Sequence, residues 1–173
     1  MKTNGFMALA LVVGSSGITY VQSPPVTAAT KPESELISDI AKDGMLEVQL
    51  GKIAEHKATN PDVKAFAKHM VKDHSDANEK LKNAARQDNV DIPKELSTAQ
   101  QDKKDQLKSC AGAEFDRKYM EAMVAGHKKA VEAVTKETKI GSGNLKTWAE
   151  NTLPVIEGHK KDAEGINAKL AQK

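Results

Sequence analysis

The residues of this chain that could do chemistry are four ionisable side chains on otherwise apolar helical stripes, namely Glu47, His74, His127 and His159. On a helix that turns ~100° per residue, positions 7 and 11 residues away lie within ~20° of a given side chain. Thirteen of the sixteen residues at those positions are apolar. Because an amphipathic helix turns its apolar stripe towards the core, we predict that all four side chains are buried.

The other two histidines of the chain fail the same test. His69 shares its stripe with Asp76 and Lys80, so we expect it to be solvated. His56 has Gln49 on its stripe and lies near a predicted turn. The pattern therefore separates candidate site histidines from surface ones.

Four buried ionisable groups at one level of a helical domain predict a metal site. An isolated buried charge is costly, so such groups are paired, neutral or bound to metal. Three imidazoles and the Glu47 carboxylate suit one divalent zinc, iron or copper ion. Asp43 and Asp162, each one turn from a candidate ligand, could orient a histidine. Neutral imidazole ligands also predict that metal affinity falls below pH ~6.

The alternative is a layer without metal. In that case Glu47 would pair with a protonated histidine, and the layer would be purely structural. Replacing the three histidines with Leu or Met would then leave stability equal or higher.

The elements that must position these residues are helices. Aromatic residues make up 3% of the chain and there are only 11 Gly and 6 Pro, which is too few for a typical β-sandwich or barrel. The predicted fold class is therefore all-α. The pattern predicts long helices at about 32–58, 61–87, 113–139 and 144–173, with a short extra helix at 97–110.

These helices predict a four-helix bundle. The connector at residues 88–112 is long enough to run the length of the bundle, which gives the single-crossover, ferritin-like topology. A simple up-down-up-down bundle is the alternative. Under either topology the four candidate residues lie near the midpoints of their helices. Asn60 and Asn144 are predicted N-caps, and Pro154 is predicted to kink the last helix.

The first 29 residues have the layout of a secretory signal peptide. A weakly basic start precedes a short apolar run and then small residues, so we predict cleavage near residue 29 and a mature bundle at 30–173. An uncleaved N-terminal anchor is the alternative. No later apolar stretch approaches the ~20 residues of a transmembrane helix. The predicted location is periplasmic or otherwise exported.

Charge and motifs exclude several functions. The net charge of +2, with both signs well mixed, argues against a nucleic-acid-binding protein or a polybasic membrane-surface protein. Cys110 is the single cysteine, so no internal disulfide can form. A phosphate-binding loop and a nucleophile–base motif are also lacking, so the sequence favours a non-enzymatic role.

Several segments in a fixed order resemble an exported bacterial family of ferritin-like four-helix domains. This family is usually labelled as a domain of unknown function or a putative outer membrane protein. The resemblance covers about residues 33–171 and implies a ferritin-like bundle in the periplasm or envelope, without an established activity. The segments are Glu47–Lys52, Asn60–Ala67, Met70–His74, Phe115–Met120, His127 and Leu153–His159.

The chain departs from ferritins and di-iron oxidases, which carry Glu-x-x-His on two helices. The residues three positions before the candidate histidines are Val71, Val124 and Ile156. We therefore expect at most one metal ion and no ferroxidase activity or mineral storage. The sequence thus predicts an exported metal-binding bundle of unassigned physiological role, and the alternative is a non-catalytic envelope stress or scaffold protein.

Overall fold

A computed structural model describes residues 30–172, and these residues form five α-helices without any strand. The predicted all-α class is confirmed, whereas the predicted signal peptide at 1–29 lies outside the described residues. The helices are α1 (Lys31–Lys57), α2 (Pro61–Gln87), α3 (Thr98–Ser109), α4 (Gly112–Ile140) and α5 (Gly143–Leu170).

Side chains cap the starts of the first three helices. Thr30 forms a capping box with Glu33 at the start of α1, which satisfies backbone N–H groups that have no partner within the helix. The Asn60 side chain accepts a hydrogen bond from the backbone N–H of Asp62 at 2.8 Å, as predicted for the N-cap of α2. Ser97 caps α3, so the short connector helix is also confirmed.

The start of α5 differs from the prediction, because Asn144 lies inside the helix and does not cap it. The Asp88 carboxylate, at the end of α2, instead accepts hydrogen bonds from the Leu145 backbone N–H at 2.8 Å and the Asn144 side chain at 2.6 Å. Gly143 has a φ of +58°, and a Cβ at this position would lie 2.9 Å from the Asp88 carboxylate oxygens. This position therefore needs glycine. α5 continues as one helix through Pro154.

The four long helices form a helical bundle in which α1 packs against α2 and α4, and α5 packs against α4 and α2. Asp116, near the start of α4, accepts a hydrogen bond from the Thr59 backbone N–H in the turn between α1 and α2. At the other end, Asp88 joins the end of α2 to Leu145 in α5. The segment at residues 88–111 therefore connects opposite ends of the bundle, and α3 within it lies against α1 and α4.

The apolar core is divided into two clusters. One contains the second half of α1 and the first halves of α2 and α4, and the other contains the remaining halves with the start of α5. His74, His127 and His159 lie between the two clusters along their helices, and Glu47 directly follows Leu46, the first residue of one cluster on α1. None of the helices within residues 30–172 is both long and apolar enough to cross a bilayer.

Replacing Asp116 with Ala should destabilise the bundle. The buried carboxylate also accepts from the Asn60 backbone N–H at 2.9 Å, and the substitution would leave these donors without their acceptor. Because a hydrogen bond to a charged group contributes about 1.5–3 kcal/mol, we expect the free energy of unfolding in urea to fall by about that amount. Asp105→Ala, on the exposed side of α3, is the control and should change it by less than ~0.5 kcal/mol. Equal stability of Asp116→Ala and wild type would contradict the prediction.

Candidate metal centre

The structure brings the four predicted site residues together. α1 carries Glu47, α2 carries His74, α4 carries His127 and α5 carries His159, and none of them is more than 7% exposed. The centroids of the three imidazole rings lie 5.2–5.6 Å from one another. Burial of all four residues is therefore as predicted, and each long helix contributes one of them.

Glu47 lies against two of the histidines. Its Oε2 is 3.0 Å from Nδ1 of His74, and its Oε1 is 3.4 Å from Nδ1 of His127. His127 Nδ1 is also 2.9 Å from the backbone carbonyl oxygen of Met123. Because a carbonyl oxygen only accepts hydrogen bonds, Nδ1 of His127 must carry the hydrogen, which leaves a lone pair on Nε2 of the neutral ring.

His159 links the buried cluster to a residue that the sequence argument missed. Its Nδ1 is 3.3 Å from Nε2 of His74, and its Nε2 is 3.1 Å from the Asp73 carboxylate. Although burial opposes it, hydrogen bonds from His159 and Lys72 hold the pKa of Asp73 below its ordinary value. An ionised Asp73 accepts the hydrogen of Nε2 and leaves the lone pair of His159 on Nδ1.

The carboxylates that were predicted to orient a histidine lie elsewhere. The Asp43 carboxylate accepts a hydrogen bond from the Gln100 side chain at 2.6 Å and so holds α3 against α1. Asp162 is exposed to solvent. Asp73 is instead the carboxylate that contacts a histidine. Its position directly before His74 does not lie on the apolar stripe of α2, so the sequence pattern did not indicate it.

Three histidines can hold a metal ion. One nitrogen atom from each of His74, His127 and His159 lies within 4.8 Å of the other two. Nε2 of His127 is buried and has no hydrogen-bond partner within residues 30–172. A buried polar atom without a partner is rare in proteins and calls for a water molecule or an ion. Glu47 is not a member of this group of three, although it contacts two of its rings.

Burial keeps Glu47, His74 and His127 mostly uncharged near neutral pH in the absence of metal. Burial and then the neighbouring histidines lower the pKa of His74 to about 3. Burial lowers the pKa of His127 to about 4, against the effect of the Met123 carbonyl. Burial and then Asp43 raise the pKa of Glu47 to about 8. Protons should therefore compete with a metal ion for these two imidazoles only at a pH below the value of ~6 that was predicted from the sequence.

The packing leaves space beside the Glu47 carboxylate. Gly126 lies against it, and a Cβ at this position would lie 3.2 Å from Oε1 of Glu47. A cavity of about 30 Å³ borders Glu47 and His74. This exceeds the ~10–15 Å³ that one water molecule needs.

The other two histidines lie outside the centre. His56 and His69 are exposed, so the predicted separation of buried from exposed histidines is confirmed. Met70 and Met123, each one turn before a histidine of the centre, are buried in one apolar cluster and pack as core residues.

Acid should favour unfolding of the metal-free protein through His127. The pKa of this residue is about 4 in the folded protein against an ordinary value of 6.5, so the unfolded chain binds more protons between these values. The contribution of His127 to the free energy of unfolding should therefore fall as pH decreases through this range, by up to ~1.4 kcal/mol per pH unit, and this penalty is absent above pH 6.5. The raised pKa of Glu47 contributes with the opposite sign, so the comparison with a His127 variant isolates this contribution.

Urea unfolding in the presence of a chelator measures this dependence. His127→Leu should reduce the slope by about one proton, whereas the exposed-site variant His69→Leu should keep the wild-type profile. Equal slopes for wild type and His127→Leu would show that this imidazole is not held neutral by burial.

Comparison with known proteins places the chain in a family without an assigned function. The fold is similar to the crystal structure of a DUF305 fragment from Deinococcus radiodurans, with a TM-score of 0.71 over 83% of this chain and 99% of that chain. The sequences are 11% identical, so this likeness shows the fold alone. No curated protein matches the chain. The sequence model of the family described as "Domain of unknown function (DUF4142)" matches residues 21–166, most of the chain, and the protein therefore belongs to this family.

Proposed function

We propose that the protein is an exported metal-binding bundle that holds one divalent transition-metal ion through His74, His127 and His159. The observation that carries the proposal is the approach of one nitrogen from each ring to within 4.8 Å of the other two. The nitrogens that we assign as ligands are Nε2 of His74, Nε2 of His127 and Nδ1 of His159, because the other nitrogen of each ring already has an outer partner.

The outer partners support this assignment. Metal-binding histidines almost always donate their second ring N–H to a carboxylate, a backbone carbonyl or water, which fixes the tautomer and the ring orientation. Here Glu47 lies on His74, the Met123 carbonyl on His127, and Asp73 on His159. Once Glu47 is ionised and accepts the Nδ1 hydrogen of His74, all three rings have a lone pair available for a common ion.

Glu47 belongs to the proposed centre through its contacts with two rings. We propose that it balances the charge of the ion and holds His74. Direct binding of the ion by a Glu47 oxygen, as predicted from the sequence, stays a prediction.

Neutral imidazoles suit zinc, iron and copper, and three of them leave one position for water or another ligand. The competing proposal is a structural layer without metal. The hydrogen bonds of His159 to His74 and Asp73, together with the contact of His74 with Glu47, favour it, because they already give most polar atoms of the layer a partner. The unpartnered Nε2 of His127 favours the metal.

We also propose the ferritin-like, single-crossover arrangement and an exported location. The connection of opposite ends of the bundle by residues 88–111 supports the arrangement. The signal-peptide layout of the first 29 residues of the sequence is the basis for the location. Cell fractionation with N-terminal sequencing of the native protein tests the location.

The purified chain should bind one zinc ion per molecule after removal of adventitious metal. Isothermal titration with Zn²⁺ measures the stoichiometry. His127→Gln and His159→Gln should each weaken binding strongly, because each removes a ligand nitrogen, while His69→Gln should bind as wild type does.

Circular dichroism checks that the variants remain folded. Wild-type protein that binds neither Zn²⁺, Fe²⁺ nor Cu²⁺ would contradict the proposal. Wild-type affinity in the folded His127→Gln variant would also contradict it. Either result would favour the structural layer.

Metal binding should release a proton from Glu47. Because the pKa of this carboxyl is about 8 in the metal-free protein, it is mostly protonated near neutral pH, and a nearby cation favours the ionised form. Titrations in buffers of different ionisation enthalpy should therefore show release of about one proton near pH 7.

Glu47→Gln should abolish this proton release and lower metal affinity about 10–100-fold, the range for residues that hold a ligand. Glu55→Gln, two turns further along α1, is the matched control. A loss well beyond that range would show that a Glu47 oxygen binds the ion itself. Unchanged affinity and unchanged proton release would contradict any role for Glu47 in the centre.

A further inference from the structure

A groove follows the surface between α2 and α5. Its volume is about 660 Å³, and Asp73 is among its lining residues. Carboxylate and amide side chains lie among apolar ones in this lining, and their oxygen atoms suit a passing cation. These residues are Asp73, Asp76, Asn83, Gln87, Asn144 and Asn151.

Asp73 connects this groove to the buried histidines. Its side chain is 32% exposed, and its Oδ2 lies 3.1 Å from Nε2 of His159. The other nitrogen of the same ring, Nδ1, lies 3.3 Å from Nε2 of His74. One imidazole thus has a solvent-exposed carboxylate on one side and the proposed metal centre on the other.

A second opening reaches the centre from a different side but has an unfavourable charge for a cation. This cleft of about 420 Å³ between α1, α3 and α4 reaches Glu47. Its lining includes Lys103, Lys118 and Lys129; Lys118 pairs with Glu114 at 2.8 Å, and the other two positive side chains oppose the approach of a metal ion. In the groove between α2 and α5 the lining lysine, Lys80, is paired with Asp76 at 2.7 Å.

We propose that Asp73 and Nε2 of His159 form an outer capture site for a divalent cation, through which the ion enters the three-histidine centre. This inference rests on the proposed function. The ion displaces the hydrogen on Nε2 of His159, and a proton taken up on Nδ1 keeps the ring neutral. The ion then moves from the outer to the inner edge of the ring, where Nδ1 loses that proton and binds the ion together with the other two imidazoles. Nε2 regains a hydrogen and its hydrogen bond to Asp73.

Stopped-flow mixing of the metal-free full chain with Co²⁺ tests the inference, since the visible absorption of bound Co²⁺ reports its arrival at the nitrogen ligands. Asp73→Asn should slow uptake about tenfold or more, because it removes the charge that attracts the ion and the capturing oxygen. Asp76→Asn is the control for the charge alone. It lies on the same helix and in the same groove and removes the same charge, but Asp76 pairs with Lys80 and does not contact His159, so uptake should slow clearly less than in Asp73→Asn.

Asn151→Trp is a second variant, which narrows the groove without touching the histidines. It should slow uptake while the equilibrium affinity for Co²⁺ stays unchanged. Wild-type uptake rates in both Asp73→Asn and Asn151→Trp would overturn the capture site. An affinity loss in Asp73→Asn that lies entirely in faster release would likewise overturn it, because Asp73 would then only orient His159.

The failure of the underlying proposal gives a different result. Wild-type protein that shows no Co²⁺ absorption at any concentration would remove the metal centre and the capture site together. Normal Co²⁺ binding at equilibrium with no effect of Asp73→Asn on uptake removes the capture site alone.

Discussion

The burial of four ionisable side chains at one level of the bundle is the constraint on which the rest of the structure depends. Removing such groups from water is costly unless each is neutral or has a partner. Glu47 lies within 3.4 Å of Nδ1 of both His74 and His127, and hydrogen bonds join His159 to His74 and to Asp73. The polar layer also explains why the apolar core consists of two clusters.

The helix ends keep this layer in register. Asp116 joins the start of α4 to the turn between α1 and α2, and Asp88 joins the end of α2 to the start of α5. Both carboxylates are buried and accept backbone N–H groups from a distant part of the chain. Since each residue along a helix rises 1.5 Å, a slip of a few residues in one helix would separate the four side chains. The caps are therefore part of the support of the centre.

The sequence predicted which polar side chains are buried together, but not which atoms of these side chains contact one another. Apolar residues at helical spacing around Glu47, His74, His127 and His159 were enough to predict that these side chains are buried together. The role of Asp73 could not be predicted, because the flank of α2 that faces α5 depends on how the helices cross. The predicted N-cap of α5 was wrong for a similar reason.

In the second case local propensity favoured Asn144 as the N-cap. The acceptor is instead the Asp88 carboxylate, 57 residues before Leu145, and no local pattern marks such a tertiary contact. The distinction between binding the ion and holding a ligand also depends on which ring nitrogen Glu47 faces. Packing in the folded bundle sets the rotamers of Glu47 and the histidines. The spacing of apolar residues along a helix does not predict these rotamers.

X-ray absorption spectroscopy at the metal edge, on protein purified from its native cell, tests the central claim most directly. We predict one ion per chain with three imidazole nitrogens at about 2.0–2.1 Å and the outer-shell scattering that imidazole rings produce. Protein isolated without metal that also takes up none, or an ion surrounded only by oxygen ligands, would contradict the account.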